Sequence, residues 1–224
     1  MIMRSTRERI LDTAETMFAD QGYAGTSVRR IIAKARVNLA AVHYHFRSKE
    51  ALLEAVILRR AEPANQERLT LLDACERAAG EQGPSVEGVL AAFLKPGIRA
   101  ASDPARGGAL FPRLLGRLHA ESDLLSGILA AHFLPVLQRF GSALRKAMPE
   151  LPSEELFWRV HFAIGATAQA LRGAEGLEKL SGGLCRASDP QETLDRLVTF
   201  LSAGLRAPVE FHHRSIRSKG ATTK

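Results

Sequence analysis

The sequence predicts an all-α protein, with a small three-helix unit at the front and a larger helical body behind it. Three observations lead there. Apolar residues recur every three or four positions along nearly the whole chain, and no run shows the alternation of a half-buried strand. Helix start and stop residues punctuate these runs. The first 47 residues hold three short runs separated by tight turns, whereas the later runs are longer.

Each element follows in order. Ser5-Thr6-Arg7-Glu8 reads as a capping box, and Ile10, Leu11, Ala14, Met17 and Phe18 then share one helical face. Gly22 ends this helix and residues 22–25 form a turn. Thr26 or Ser27 caps a second, short helix, with Val28, Ile31, Ile32 and Ala35 inward and Arg29, Arg30, Lys34 and Arg36 largely outward. Asn38 caps a third helix running to about Phe46. Ser48 caps a fourth, which Pro63 should kink or restart. Longer helices follow at about 85–101, 108–120, 122–147, 153–180 and 190–206, with Pro135 a bend inside the third of these. Asp189-Pro190-Gln191-Glu192 is a sharp start signal, and Leu194, Leu197, Val198, Leu201 and Leu205 form one stripe after it.

The expected division is residues 1–47 as a helix-turn-helix domain, 48–207 as the helical body, and 208–224 as a basic, disordered tail. The net charge of +7 is unevenly spread: +5 over residues 1–60, −1 over 61–206 and +3 over 207–224. A basic front on a neutral body suits a polyanion partner, with a merely solvated surface as the alternative. The neutral body argues against a non-specific DNA-packaging protein.

Several classes are disfavoured. No apolar run approaches a membrane span, and the N-terminus lacks the pattern of a signal peptide. Cys75 and Cys185 are isolated, which fits a reducing cytoplasm and gives no zinc site. His43 and His45 lie roughly 200° apart around a helix and cannot chelate one metal. No phosphate loop or paired catalytic constellation occurs, so neither an enzyme nor a cofactor is expected. Glu154-Glu155 opens a helix and His212-His213 lies in the tail.

In a helix-turn-helix the front of the last helix enters the major groove while flanking residues grip phosphate. Thr26, Ser27 and Lys49 sit at helix starts, Tyr44 can offer a phenol, and Arg29 lies on the outer face of the second helix. Tyr44 is equally a candidate for the core, and Phe46 a stronger one. His45 reads as a buried, hydrogen-bonded histidine, and His43 as the DNA-facing one. The front of the third helix is Asn38, Leu39, Ala40 and Ala41, which has little to hydrogen-bond with. Direct readout there should be thin: Asn38 to base or phosphate, and Leu39 and the alanines against thymine methyls. Arg29, the arm residues Arg4 and Thr6, and DNA shape then carry more of the specificity.

These residues bring a resemblance with them. Thr26-Ser27-Val28-Arg29-x-Ile31, followed by Ala35-x-Val37-Asn38-Leu39-Ala40-Ala41-Val42-x-Tyr44-His45-Phe46-x-Ser48-Lys49-Glu50-Ala51-Leu52, resembles the DNA-binding domain of TetR-family transcriptional repressors. Phe18 and Gly22 also fall in register. The chain departs once: where the family usually has Tyr-Tyr-His-Phe it has His43-Tyr44-His45-Phe46, replacing one phosphate-gripping tyrosine by a histidine. The resemblance implies a homodimer of nine- or ten-helix protomers on double-stranded operator DNA, with a small-molecule inducer bound in the body. It also implies dimerisation through the last two long helices, here about 153–180 and 190–206.

A shorter resemblance, in Leu151-Pro152 and Glu155-Leu156-Phe157-Trp158-Arg159-Val160-His161-Phe162, is to the fatty-acid-responsive PsrA type within that family. It makes a fatty acid or acyl-CoA one candidate inducer. The expected ligand site lies between the fourth helix and residues 85–147. Phe93, Leu110, Phe111, Leu114, Leu115, Leu118, Phe133 and Phe140 could line a tunnel, with Arg113, His119 and Arg99 for an acidic head; packed core is the competing reading. Trp158, His161, Leu194, Leu197, Val198, Leu201 and Leu205 are the expected dimer contacts. The sequence leaves an activator or dual regulator open beside a repressor, with an enzyme more remote.

Overall fold

The computed structural model describes residues 5–103, 107–119, 123–171, 175–185 and 189–209. These form ten α-helices and no strand, as the sequence predicts: α1 (Thr6–Gln21), α2 (Val28–Ala35), α3 (Leu39–Phe46), α4 (Lys49–Ala79), α5 (Val86–Ser102), α6 (Leu110–His119), α7 (Asp123–Ala147), α8 (Ser153–Leu171), α9 (Glu175–Leu180) and α10 (Pro190–Arg206). A single 3-10 turn, Gly80–Gln82, follows α4.

The caps explain most boundaries. Side-chain oxygens of Ser5, Ser27, Asn38, Ser48, Ser85 and Asp189 each accept from an amide in the first turn of the helix they open. The second helix is therefore capped by Ser27, not Thr26. Gly22, at φ 74°, closes α1 by returning its amide to Phe18 O. Arg36 turns the chain between α2 and α3 in the left-handed region (φ 54°), and Arg9 fastens that turn by donating to Ala35 O and Arg36 O at 2.6 and 2.8 Å.

One boundary differs from expectation, and at Pro63 one of the two expected outcomes drops out: α4 does not restart there but runs through it over 31 residues. A proline inside a helix costs about 3 kcal/mol, and packing on both sides outweighs it. Ile57 and Ala61 are buried before the proline, and Asn65 and Leu72 after it. The run expected over 153–180 is two helices, with α8 ending at Leu171 and α9 beginning at Glu175.

Two apolar clusters organise the molecule. The first joins α1, α2 and α3 to the first half of α4, to Leu114 and Leu118 of α6 and to Ile128 of α7. The second joins Leu72 of α4 to α5, α7, α8 and α10. Residues on both sides of position 47 share the first cluster, where the three head helices pack with α4, α6 and Ile128 of α7. Helix α4 belongs to both clusters and links head to body. The expectation of a disordered tail lies outside the described residues from 210 onward.

Candidate functional site

Helix α3 presents one exposed face. Leu39, Ala40, His43 and Tyr44 point outward at spacings of one, four and five residues, while Val42 and Phe46 are buried. Leu39 is 53% exposed and Tyr44 84%, which removes Tyr44 from the core. Asn38, also exposed, spends its Oδ1 on the Ala41 amide at 2.8 Å, so its NH2 is what remains for a base or phosphate. Ala41 is half-buried and sits at the edge of the face rather than on it. His45 is half-buried between the rings of Tyr44 and Phe46, not enclosed as expected.

Thr6 on α1, Ser27, Arg29, Arg30 and Lys34 on or beside α2, and Arg36 and Arg47 in the turns on either side of α3 are all exposed as well. Three expected contacts stand differently. Thr26 is 1% exposed and its one hydroxyl proton is shared between Gly22 O at 2.7 Å and Met17 O at 3.1 Å, so it ties α1 to the turn and is not on the surface. Lys49 is drawn back into the head, where its ammonium donates to Tyr23 O and lies 4.0 Å from the centre of the Tyr23 ring. Arg4 lies outside the described residues.

The charges are sorted. Residues 5–60 contain six carboxylates, and each has a partner. Glu8 and Asp12 accept from Arg59; Glu15, 1% exposed, accepts from both Arg59 and Arg60. Asp20 pairs with Arg113, Glu54 with His132, and Glu50 with the Tyr23 phenol. Burial and then the Glu50 bond hold that phenol above its ordinary pKa. By contrast, Arg29, Arg30, Lys34, Arg36 and Arg47 form no ion pair among the described residues. The cations without an ion pair therefore belong to α2 and to the turns flanking α3.

The body holds a cavity of about 400 Å³, within the usual range for small-ligand sites. Its apolar wall includes Pro63, Pro96, Phe111, Leu115, Phe133 and Leu171, and Arg59, Arg60, Glu67 and Arg68 supply its charges. Of the expected ligand residues it gathers Phe111, Leu115 and Phe133. Phe93 and Phe140 meet edge to face at 5.1 Å and line a separate void of about 50 Å³. Leu110 packs on the head core and Leu114 is fully buried in it. Arg113 and Arg99 are exposed and pair with Asp20 and Glu67. The side chain of His119 lies outside the description. Sequence reasoning missed Arg59, Arg60 and Arg68. The available signal was their recurrence with Pro63, Ala64 and Glu67 on one stripe of α4, where arginine takes inward positions.

Comparisons with known proteins agree with this arrangement. A family model described as bacterial regulatory proteins of the tetR family matches residues 10–56, and one described as tetracyclin repressor-like, C-terminal domain, matches residues 91–204. The chain belongs to the TetR family. Its head is similar to the probable HTH-type transcriptional regulator YttP of Bacillus subtilis, 40% identical over 53 residues, or 24% of this chain and 26% of YttP. The HTH-type transcriptional repressor KstR2 of Mycolicibacterium smegmatis is 42% identical over 53 residues, 24% of this chain and 26% of that one. These matches span about a quarter of the length of the curated relatives. Among solved structures, Salmonella enterica GusR shares the fold with a TM-score of 0.60 at 20% identity, covering 90% of this chain and 96% of that one.

TetR-family regulators dimerise, and the last two long helices carry an exposed face that includes Trp158 and His161 of the expected contacts but not the leucine stripe of α10. Leu194, Leu197, Leu201 and Leu205 are buried inside their own protomer, and Val198 is half-buried against the same cluster. They pack α10 on α5 and α8, so the apolar stripe serves the body core. Trp158 and His161, also expected, are exposed on α8, with Trp158 stacked on Phe162 at 5.8 Å. Phe157, Trp158 and Phe162 of α8 and Phe200 of α10 are 53–71% exposed. Large exposed aromatics concentrated on two helices are the usual mark of a protein interface.

Proposed function

We propose that the protein is a ligand-responsive transcriptional repressor: a homodimer that leaves a near-palindromic operator when a small ligand with an apolar or acyl-type body fills the 400 Å³ cavity. The observation that carries this reading is the sorting of charge in the head. Every carboxylate of residues 5–60 has a partner, while five exposed cations on α2 and in the turns on either side of α3 have no ion pair among the described residues. Tyr44, Ser27 and the cations grip phosphate, and Asn38, Leu39, Ala40 and His43 meet the bases, with Ala41 at their edge. Thr6 and Arg4 extend the contact along the N-terminal arm.

The exposed aromatics of α8 and α10 join two protomers, so that two α3 helices meet half-sites about 34–36 Å apart. A ligand that binds better when the heads are rotated shifts the dimer from DNA by its differential affinity, typically about 1–3 kcal/mol. Helix α4 suits the transmission, since it lines the cavity and belongs to the head core. KstR2, whose head is similar, is by name a repressor. The protein works in the cytoplasm beside its DNA, and no described helix is long and apolar enough to cross a membrane.

The test is selection of genomic duplex fragments by the purified protein, followed by mobility shifts at graded salt. A specific duplex bound by a dimer, with affinity falling steeply as salt rises, is expected. Equal binding to all duplexes, or none, refutes the reading. A reporter with and without the gene separates repression from activation.

A further inference from the structure

The cavity contains one cation that the protein leaves under-compensated. Arg59 and Arg60 reach it too, but their charge is already met. Arg60 donates Nε and Nη2 to the two oxygens of Glu15, both at 2.9 Å, and Arg59 serves Glu8, Asp12 and Glu15. Arg68 is different. Among the described residues its acceptors are both uncharged: Phe93 O at 2.9 Å from Nε and Asn65 Oδ1 at 2.7 Å from Nη1. Its guanidinium also lies 4.8 Å from the centre of the Phe93 ring. Burial lowers its pKa to about 10, and the charge of Glu67 offsets only part of that.

Two features aim this cation at a ligand. A guanidinium has five N–H donors, so the two bonds leave three unspent. Beside Nη2 stands Gly97, where a Cβ would come within 3.1 Å, so glycine keeps the approach to that nitrogen open. Gly97 and Arg68 both line the cavity, and Pro63, Pro96, Phe111, Leu115 and Phe133 give it an apolar wall. Its other charges are met within the protein, Arg59 and Arg60 by carboxylates of α1 and Glu67 by Arg99, so among the described residues Arg68 is the one that faces hydrocarbon surface without a carboxylate bonded to it.

We propose that the ligand is an amphipathic carboxylate, its acid group bound to Arg68 and its apolar body laid against α6 and α7. This rests on the cavity being the effector site. Arg68 is then the residue that selects acids over neutral molecules of the same shape. A carboxylate there completes the donors of Arg68 and returns much of the cost of burying its charge. The acid does not go to Arg60, whose Nε and Nη2 are spent on Glu15, nor to Arg59, whose charge is met by Glu8, Asp12 and Glu15 although its buried Nε has no hydrogen-bond partner among the described residues.

The experiment is calorimetric titration of the full chain with decanoate and with decanamide, which share a chain and differ in head charge. Decanoate is expected to bind about tenfold more tightly or better, the size of one charge-assisted contact. Arg68→Met should bring the two within about twofold, and Arg68→Lys, which keeps the charge, should retain the acid preference. Equal affinity of the wild type for both probes, no heat with decanoate at about 1 mM, or a preference that survives Arg68→Met overturns the proposal. The wild-type comparison decides even if Arg68→Met does not fold. Operator binding is measured separately. A protein that binds operator but shows no acid preference refutes the ligand assignment alone, and one that shows the preference but binds no DNA refutes the regulator reading alone.

Discussion

Replacing Arg29 by alanine tests the charge arrangement most directly, because the expected result is a slope. Arg29 lies on the exposed side of α2 and makes no ion pair among the described residues. Each phosphate contact adds about −0.9 to the slope of log affinity against log salt. A homodimer carries two copies, so Arg29→Ala should flatten the slope by about 1.8. Between 50 and 200 mM salt that is about 12-fold: the wild-type advantage at low salt should exceed that at high salt by this factor. The five exposed cations per protomer together contribute at most about −9 to the slope, and Arg4 of the arm adds to that.

Tyr44→Phe is the control, since it removes a neutral donor. It should weaken binding by about 1.5–3 kcal/mol per contact and leave the slope unchanged. The assay is fluorescence anisotropy on one selected duplex at five salt concentrations, with circular dichroism to confirm folding. A folded Arg29→Ala variant with the wild-type slope would show that Arg29 does not neutralise phosphate. Equal slope changes in both variants would mean that the slopes report something other than α2 charge.

Three further outcomes follow from particular contacts. Trp158→Glu with Phe162→Glu should give a folded monomer by analytical ultracentrifugation, with operator affinity reduced at least about 100-fold as the second half-site is lost; a persistent dimer rules out the α8 face. Thr26→Val should cost about 1–3 kcal/mol in urea unfolding, because its shared buried hydrogen bond goes, whereas a phosphate-contact role alone would leave stability unchanged. The bond from Arg206 holds the Glu87 carboxyl at about 2, against an ordinary 4.5. A lowered folded pKa gives stability that is present above about 4.5 and lost as pH falls toward 2. At 43% exposure, screening keeps this to about 0.5 kcal/mol. Glu87→Gln should therefore lower stability slightly at pH 6 and flatten the acid limb below 4.5, as read by thermal unfolding; an unchanged acid limb refutes the assignment.

Much of the head was legible because its determinants are local. Ser5, Asn38 and Ser48 cap the helices they were expected to cap, and Val42 and Phe46 face inward as their spacing requires. Where two local signals competed, the sequence could not choose. Thr26 and Ser27 both fit a cap, and only the packing of Thr26 against Met17 O and Gly22 O assigns the role to Ser27. Lys49 has the position of a phosphate ligand, but the Tyr23 carbonyl and ring that hold it lie 26 residues away. Leu194, Leu197, Leu201 and Leu205 were rightly read as one buried stripe and wrongly given a partner, because periodicity shows that a face is covered and not by what.

The sequence by itself determined the helices, their inward faces and the basic head, since caps, a 3.6-residue period and charge are properties of neighbouring residues. Tertiary structure alone decided the rest: which carboxylates are silenced, which apolar face is left bare on α8, and which arginine stands under-compensated in the cavity. Each of these depends on side chains tens of residues apart. Whether a charge or an apolar surface is free to bind something else is set by what the fold has already placed against it.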